Sequence, residues 1–135
     1  MKKIISSIFV FVLLLETVVG ACAALPETIN PLWANIKNMN TTITFVGANG
    51  SVTSDVYGMS GTTAISGNLS VYKQTASGTW EFVDSTSGSV QSRYMLLTLD
   101  FDAEKNVNYK AVFSVSVTLN GFVETETTSQ YKTYT

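Results

Sequence analysis

From Tyr109 to Leu119 every second residue is apolar: Tyr109, Ala111, Phe113, Val115, Val117 and Leu119. Lys110, Ser114, Ser116 and Thr118 stand among the alternate positions. A period of two puts one set on each face of a β-strand, so this stretch demands a sheet with one face against a core. Asn120-Gly121 follows at once. Both central residues of a type I′ turn need positive φ, and Asn and Gly tolerate it best, so the dipeptide predicts a two-residue hairpin. The chain then returns from Phe122 to about Tyr134, with Val123, Thr125, Thr127 and Tyr131 opposed to Glu124, Glu126 and Lys132.

The same period recurs upstream, and almost nothing after Pro31 repeats at helical spacing. Met39, Thr41, Ile43 and Phe45 predict a first strand, and Val52, Ser54 and Val56 a second, joined by a turn at Gly47-Ala48-Asn49-Gly50. Ile65, Gly67, Leu69 and Val71 share one face of a third strand, with Tyr72 on the other. Trp80 to Val83 reads as a short fourth strand, followed by a break from Ser85 to Gly88. A fifth strand is expected from about Ser89 to Phe101, with the apolar run Tyr94–Leu99 covered on both sides. Asp100 to Asn106 reads as a charged loop.

About seven short strands without a helix can bury their apolar faces only against each other. The expected fold is all-β: an antiparallel immunoglobulin or fibronectin type III-like β-sandwich. Tyr109 stands at the entrance of the sixth strand, after the acidic loop. A tyrosine corner uses that place, its phenol pinning the turn by a hydrogen bond to nearby backbone. An ordinary core tyrosine is the alternative role.

The N-terminus has a different character. Lys2 and Lys3 precede an apolar run from Ile4 to Leu15, and Ala21-Cys22-Ala23-Ala24 offers small residues for cleavage. That is the pattern of a helical secretory signal peptide, cut after Ala23. The run is short of the roughly twenty residues of a membrane span, and Glu16 interrupts it. Val19-Gly20-Ala21-Cys22 also resembles a lipobox, in which Cys22 would carry a lipid. Glu16 fits that reading poorly. The expected organisation is residues 1–23 as signal peptide, 24–38 as an N-terminal extension and 39–135 as the sandwich. The product is expected outside the cell, with a lipid anchor on the outer face of the membrane as the alternative. Apart from such a lipid, only the signal peptide would meet a membrane.

Composition narrows the chemistry. Histidine is absent, which removes the usual neutral-pH base and every His-dependent nucleophile or zinc site. The single cysteine, Cys22, leaves with the signal peptide. Lys37, Lys73, Arg93, Lys105, Lys110 and Lys132 then face nine carboxylates, so no basic patch tracks a nucleic acid. Asp100-x-Asp102-x-Glu104 could gather oxygens for Ca²⁺ but lacks the Gly and distal Glu of an EF-hand. Glu124 and Glu126 point the same way on one strand, yet nothing marks them as a glycosidase pair. No catalytic residue, metal-ligand set or cofactor is expected.

Aromatic residues are the remaining candidates. Trp33, Trp80 and Tyr72 could contact a ligand, with Tyr94, Tyr131 and Tyr134 completing a platform for sugar rings. The competing roles are structural: Trp80 covering the Tyr72 side of its hairpin, and Trp33 stapling the N-terminal segment. The expected function is a binding or structural one for a secreted, non-enzymatic domain, with an extracellular protein or glycan as partner. A carbohydrate-binding module and a small secreted effector, such as a bacteriocin or inhibitor, are the alternatives.

Ile29-x-Pro31-x-Trp33-x-x-Ile36, Val71-Tyr72-Lys73-Gln74, Trp80-Glu81-Phe82-Val83 and Tyr109-Lys110 ahead of an acidic last hairpin form a recurring arrangement. It resembles small exported proteins of Gram-positive, Clostridia-like bacteria. The resemblance implies a single immunoglobulin-like sandwich and carries over no functional residue. Asn108 departs from it, standing before Tyr109 where Gly or another turn residue is expected.

Overall fold

A computed structural model describes residues Trp33 to Thr135. The expected signal peptide, Cys22 and most of the expected extension lie outside the described residues. Seven strands follow in order: β1 Ile36–Val46, β2 Asn49–Gly58, β3 Thr62–Gln74, β4 Trp80–Val90, β5 Tyr94–Asp102, β6 Val107–Leu119 and β7 Phe122–Tyr134. Every pairing is antiparallel. They form one sheet of order β1-β2-β5 and one of order β4-β3-β6-β7. This is the immunoglobulin/fibronectin type III-like sandwich. The fourth strand joins the sheet of the third, whereas a constant-type immunoglobulin domain places it beside the fifth.

The core lies between the sheets. Ile43, Val52, Val56, Met95 and Leu99 come from one, and Ile65, Leu69, Val71, Phe113, Val115 and Val117 from the other. Each fully buried Val, Leu, Ile or Phe stabilises the fold by about 1.5–3 kcal/mol. Thr41 and Ser54 are buried among them and satisfy each other, hydroxyl to hydroxyl, at 2.9 Å. Gly67 faces the inside of β3, where an added Cβ would run into the Met95 methyl from the opposite sheet and meet Phe113 at 3.1 Å. Asn120 and Gly121 have φ of 51° and 78°, as the hairpin requires.

Three expectations are corrected. Ser85 to Gly88 do not break the sheet. They continue β4 and pair with Ser70, Leu69, Asn68 and Gly67 of β3. Ser85 and Ser87 belong to the hydroxyl-bearing outer face, and Gly88 leaves room for Leu97 of β5, whose Cδ2 an added Cβ would meet at 2.9 Å. The middle of β5 is not covered on both sides. Met95 and Leu99 are buried, but Leu96 is 50 % exposed, because β5 is the edge of the smaller sheet and nothing covers its outer face. Finally, strand pairing starts at Ile36 rather than Met39. Glu124 of β7 accepts from the backbone N–H groups of Ala34 at 3.0 Å, Asn35 at 2.6 Å and Ile36 at 3.1 Å, which draws the entry into the sandwich.

Candidate functional site

The outer face of the four-stranded sheet carries a graded surface. Its register lines side chains up in rows across all four strands. One row reads Phe82, Tyr72, Lys110, Tyr131 from β4 to β7. Trp80 follows in the next row, opposite Gln74 of β3. The rings of Phe82 and Tyr72 meet edge to face at 5.9 Å, and those of Trp80 and Tyr131 at 5.7 Å. Between them the Lys110 Nζ lies 4.7 Å from the Trp80 ring centre and 5.0 Å from that of Tyr72. Such spacing favours a cation–π attraction of about 0.5–1 kcal/mol at an accessible site. Phe82 and Tyr131 remain 56 % and 54 % exposed, while Tyr72, Trp80 and Lys110 are half-buried.

Beyond this aromatic end, past a row of Ser85, Ser70, Val112 and Ser129, come rows of hydroxyls and amides. Ser87, Asn68, Ser114 and Thr127 form one, and Ser89, Ser66, Ser116 and Thr125 the next. Hydroxyl pairs Ser114–Thr127 and Ser116–Thr125 close at 2.8 Å each. A shallow depression of about 340 Å³ lies over Ser66, Asn68, Ser87 and Ser114. The surface can stack apolar ring faces at one end and exchange hydrogen bonds along the rest.

Of the three aromatic candidates, the sheet brings Trp80 and Tyr72 together through Lys110. Trp33 lies at the opposite end of the sandwich, beside the start of β1. It packs against the core, and its indole N–H meets no acceptor among the described residues. Phe82 and Lys110 complete the cluster and were not singled out from the sequence. Tyr94 faces away from it, on the outer side of the smaller sheet, with its ring 4.4 Å from Tyr57. Burial, then Tyr57 and Asp55, push the Tyr94 phenol pKa up.

Tyr109 is fully buried at the start of β6. Its phenol oxygen accepts from the Glu104 backbone N–H at 2.8 Å, bridging the turn between β5 and β6. Its ring packs on Phe101 at 4.9 Å. The three acids of Asp100-x-Asp102-x-Glu104 do not converge. Asp84, Asp100 and Asp102 line a broad depression of about 630 Å³ near the β1–β2 turn. Glu104 turns away from it to bind Lys73 at 2.8 Å, and that hydrogen bond, with the carboxylate charge, raises the Lys73 pKa. Among the described residues no three carboxylates, cysteines or histidines are placed to hold a metal ion.

Glu124, read from the sequence as a strand charge, is a structural anchor. The Asn35 side-chain amide works with it, donating to the carbonyls of Val117 and Phe122 at 2.9 Å each. At the far end of β7, Lys132 Nζ donates to the Ile43 carbonyl of β1 at 3.1 Å.

No family model matches the chain, and no curated protein does. Among solved structures, it is similar to the sporulation control protein Spo0M from Bacillus subtilis, with 12 % identity over 72 % of this chain and a TM-score of 0.42. The chain spans 49 % of the length of that protein. The sensor domain of the anti-sigma factor RsgI4 in Pseudobacteroides cellulosolvens has 14 % identity over 80 % of this chain and all of that domain, with a TM-score of 0.39. OgpA from Akkermansia muciniphila, in complex with an O-glycopeptide substrate, has 15 % identity over 82 % of this chain and 34 % of its own, with a TM-score of 0.33. What the outer face does is therefore read from its own residues.

Proposed function

We propose that this protein is an exported, non-enzymatic binding module that holds a saccharide chain on the outer face of its four-stranded sheet. The observation that carries this reading is the row Phe82–Tyr72–Lys110–Tyr131, with Trp80 beside it, opening onto rows of Ser, Thr and Asn. Aromatic rings stack on the apolar C–H faces of pyranoses, and hydroxyl rows trade hydrogen bonds with sugar hydroxyls. A face held in register by strand pairing presents both, which keeps the ordering cost of binding low. The absence of His from the chain, and of Cys once residues 1–23 are removed, supports a surface that binds over one that reacts. The signal-peptide pattern of residues 1–23 supports a surface that works outside the cell. An array of soluble glycans, with affinity electrophoresis on polysaccharide gels, tests the reading. Binding should appear for a subset of saccharides and fall about tenfold or more in Trp80→Ala, by loss of a stacked ring. Silence of the unsubstituted protein on every glycan would overturn it.

A further inference from the structure

Lys110 is alone on its surface. Across the rows that β4, β3, β6 and β7 turn outward, every other side chain is neutral: aromatic, aliphatic, hydroxyl or amide. The one ion pair among the described residues joins Lys73 to Glu104, on the other side of the sheet, so no described carboxylate answers Lys110. The ammonium is also positioned, resting over Trp80 and Tyr72 at 4.7 and 5.0 Å. A lysine on an open strand ordinarily loses considerable rotamer freedom when it binds an anion. Here the two rings have already restricted it. The aromatic walls exclude part of its water, which strengthens its attraction for an incoming negative charge.

We infer that the saccharide is acidic, a chain bearing sugar carboxylates such as uronates, with one carboxylate seated on Lys110 while neighbouring rings stack on Trp80 and Tyr72. The inference rests on the saccharide reading and adds its charge. A neutral glycan would leave the ammonium covered and unpaired, whereas a uronate supplies both the ring face for the aromatics and the anion for the lysine. The compact ammonium, with three donors, can meet a carboxylate from several angles, as a ring that is first positioned by stacking requires. The chain carries a net charge of −2, so the attraction is local to this face and acts within about a Debye length, roughly 8 Å at physiological ionic strength.

Polygalacturonate and its fully methyl-esterified form make a matched pair, with the same backbone and the charge present or absent. The exported protein should bind the free acid at least about tenfold more tightly than the ester, consistent with one charge-assisted hydrogen bond. That preference should shrink as salt rises from low to physiological concentrations. Lys110→Met, which keeps the aliphatic stem over the rings, should remove the preference, so that acid and ester bind alike. Lys110→Arg should restore it. Equal affinity for acid and ester, or an acid preference that survives in Lys110→Met, overturns the inference and leaves the saccharide platform standing. If neither polymer binds while a neutral glycan does and Trp80→Ala abolishes that binding, the charge assignment is again the part that fails. Absence of binding to every glycan removes both.

Discussion

Tyr109 joins two jobs in one side chain. Its ring fills the core beside Phe101 and Phe45, and its phenol oxygen serves the Glu104 N–H in the turn. Removing only the oxygen leaves the packing intact and orphans that amide. Tyr109→Phe is expected to destabilise the domain by about 1–3 kcal/mol, the cost of an unsatisfied, partly buried donor. Urea unfolding should show a lower midpoint at an unchanged slope. An unaltered midpoint would mean that water satisfies Glu104 as well as the phenol does. Tyr109 could be placed from the sequence because its position, one turn after Leu99 and Phe101, is a local pattern. Lys110, its neighbour, could not be recognised in the same way. Its significance comes from Tyr72 and Trp80, which reach it only through β3 and β4.

Among the strands, β7 is where sequence and structure part most instructively. As an edge it must discourage pairing with other chains, and charges that point inward are one device for that. Glu124 and Lys132 serve this purpose and are used at the same time, one gathering three N–H groups before and within β1, the other holding the Ile43 carbonyl. Glu124→Ala is expected to cost about 2–3 kcal/mol, since charge-assisted hydrogen bonds are lost and amides are left without an acceptor. Hydrogen exchange should quicken at Ala34, Asn35 and Ile36 well before it changes in β6. Uniform acceleration through the sheet would point to global loss of stability rather than release of the β1 entry. The inward turn of Glu124 was in fact legible. A two-residue turn at Asn120-Gly121 makes Leu119 and Phe122 partners, hence Val117 and Glu124, on the core side of β6. The Ser85–Gly88 stretch was not legible, since Ser and Gly mark breaks by composition and only the pairing with β3 makes them strand.

For the whole molecule, the proposed export and mature form rest on the signal-peptide pattern of the first residues and are checked there. The intact mass of the protein recovered from the culture medium is expected to equal residues 24–135, and a lipid-modified chain starting at Cys22 in the membrane fraction would replace free secretion by anchoring. By itself, the sequence determined that the domain is built of strands, that two sheets must cover one core, and that no His-based chemistry is available. Those conclusions rest on period, turn residues and composition, all of which act locally or by simple count. Only the tertiary structure decided which strands are neighbours. Placing β3 between β4 and β6 brings residues from Tyr72 to Tyr131 into one row and sends Trp33 to the far end. Sheet order depends on pairings between distant segments, whose energies come from the shared core and not from any one stretch of chain. The aromatic face around Lys110 therefore exists only once the sheets have closed.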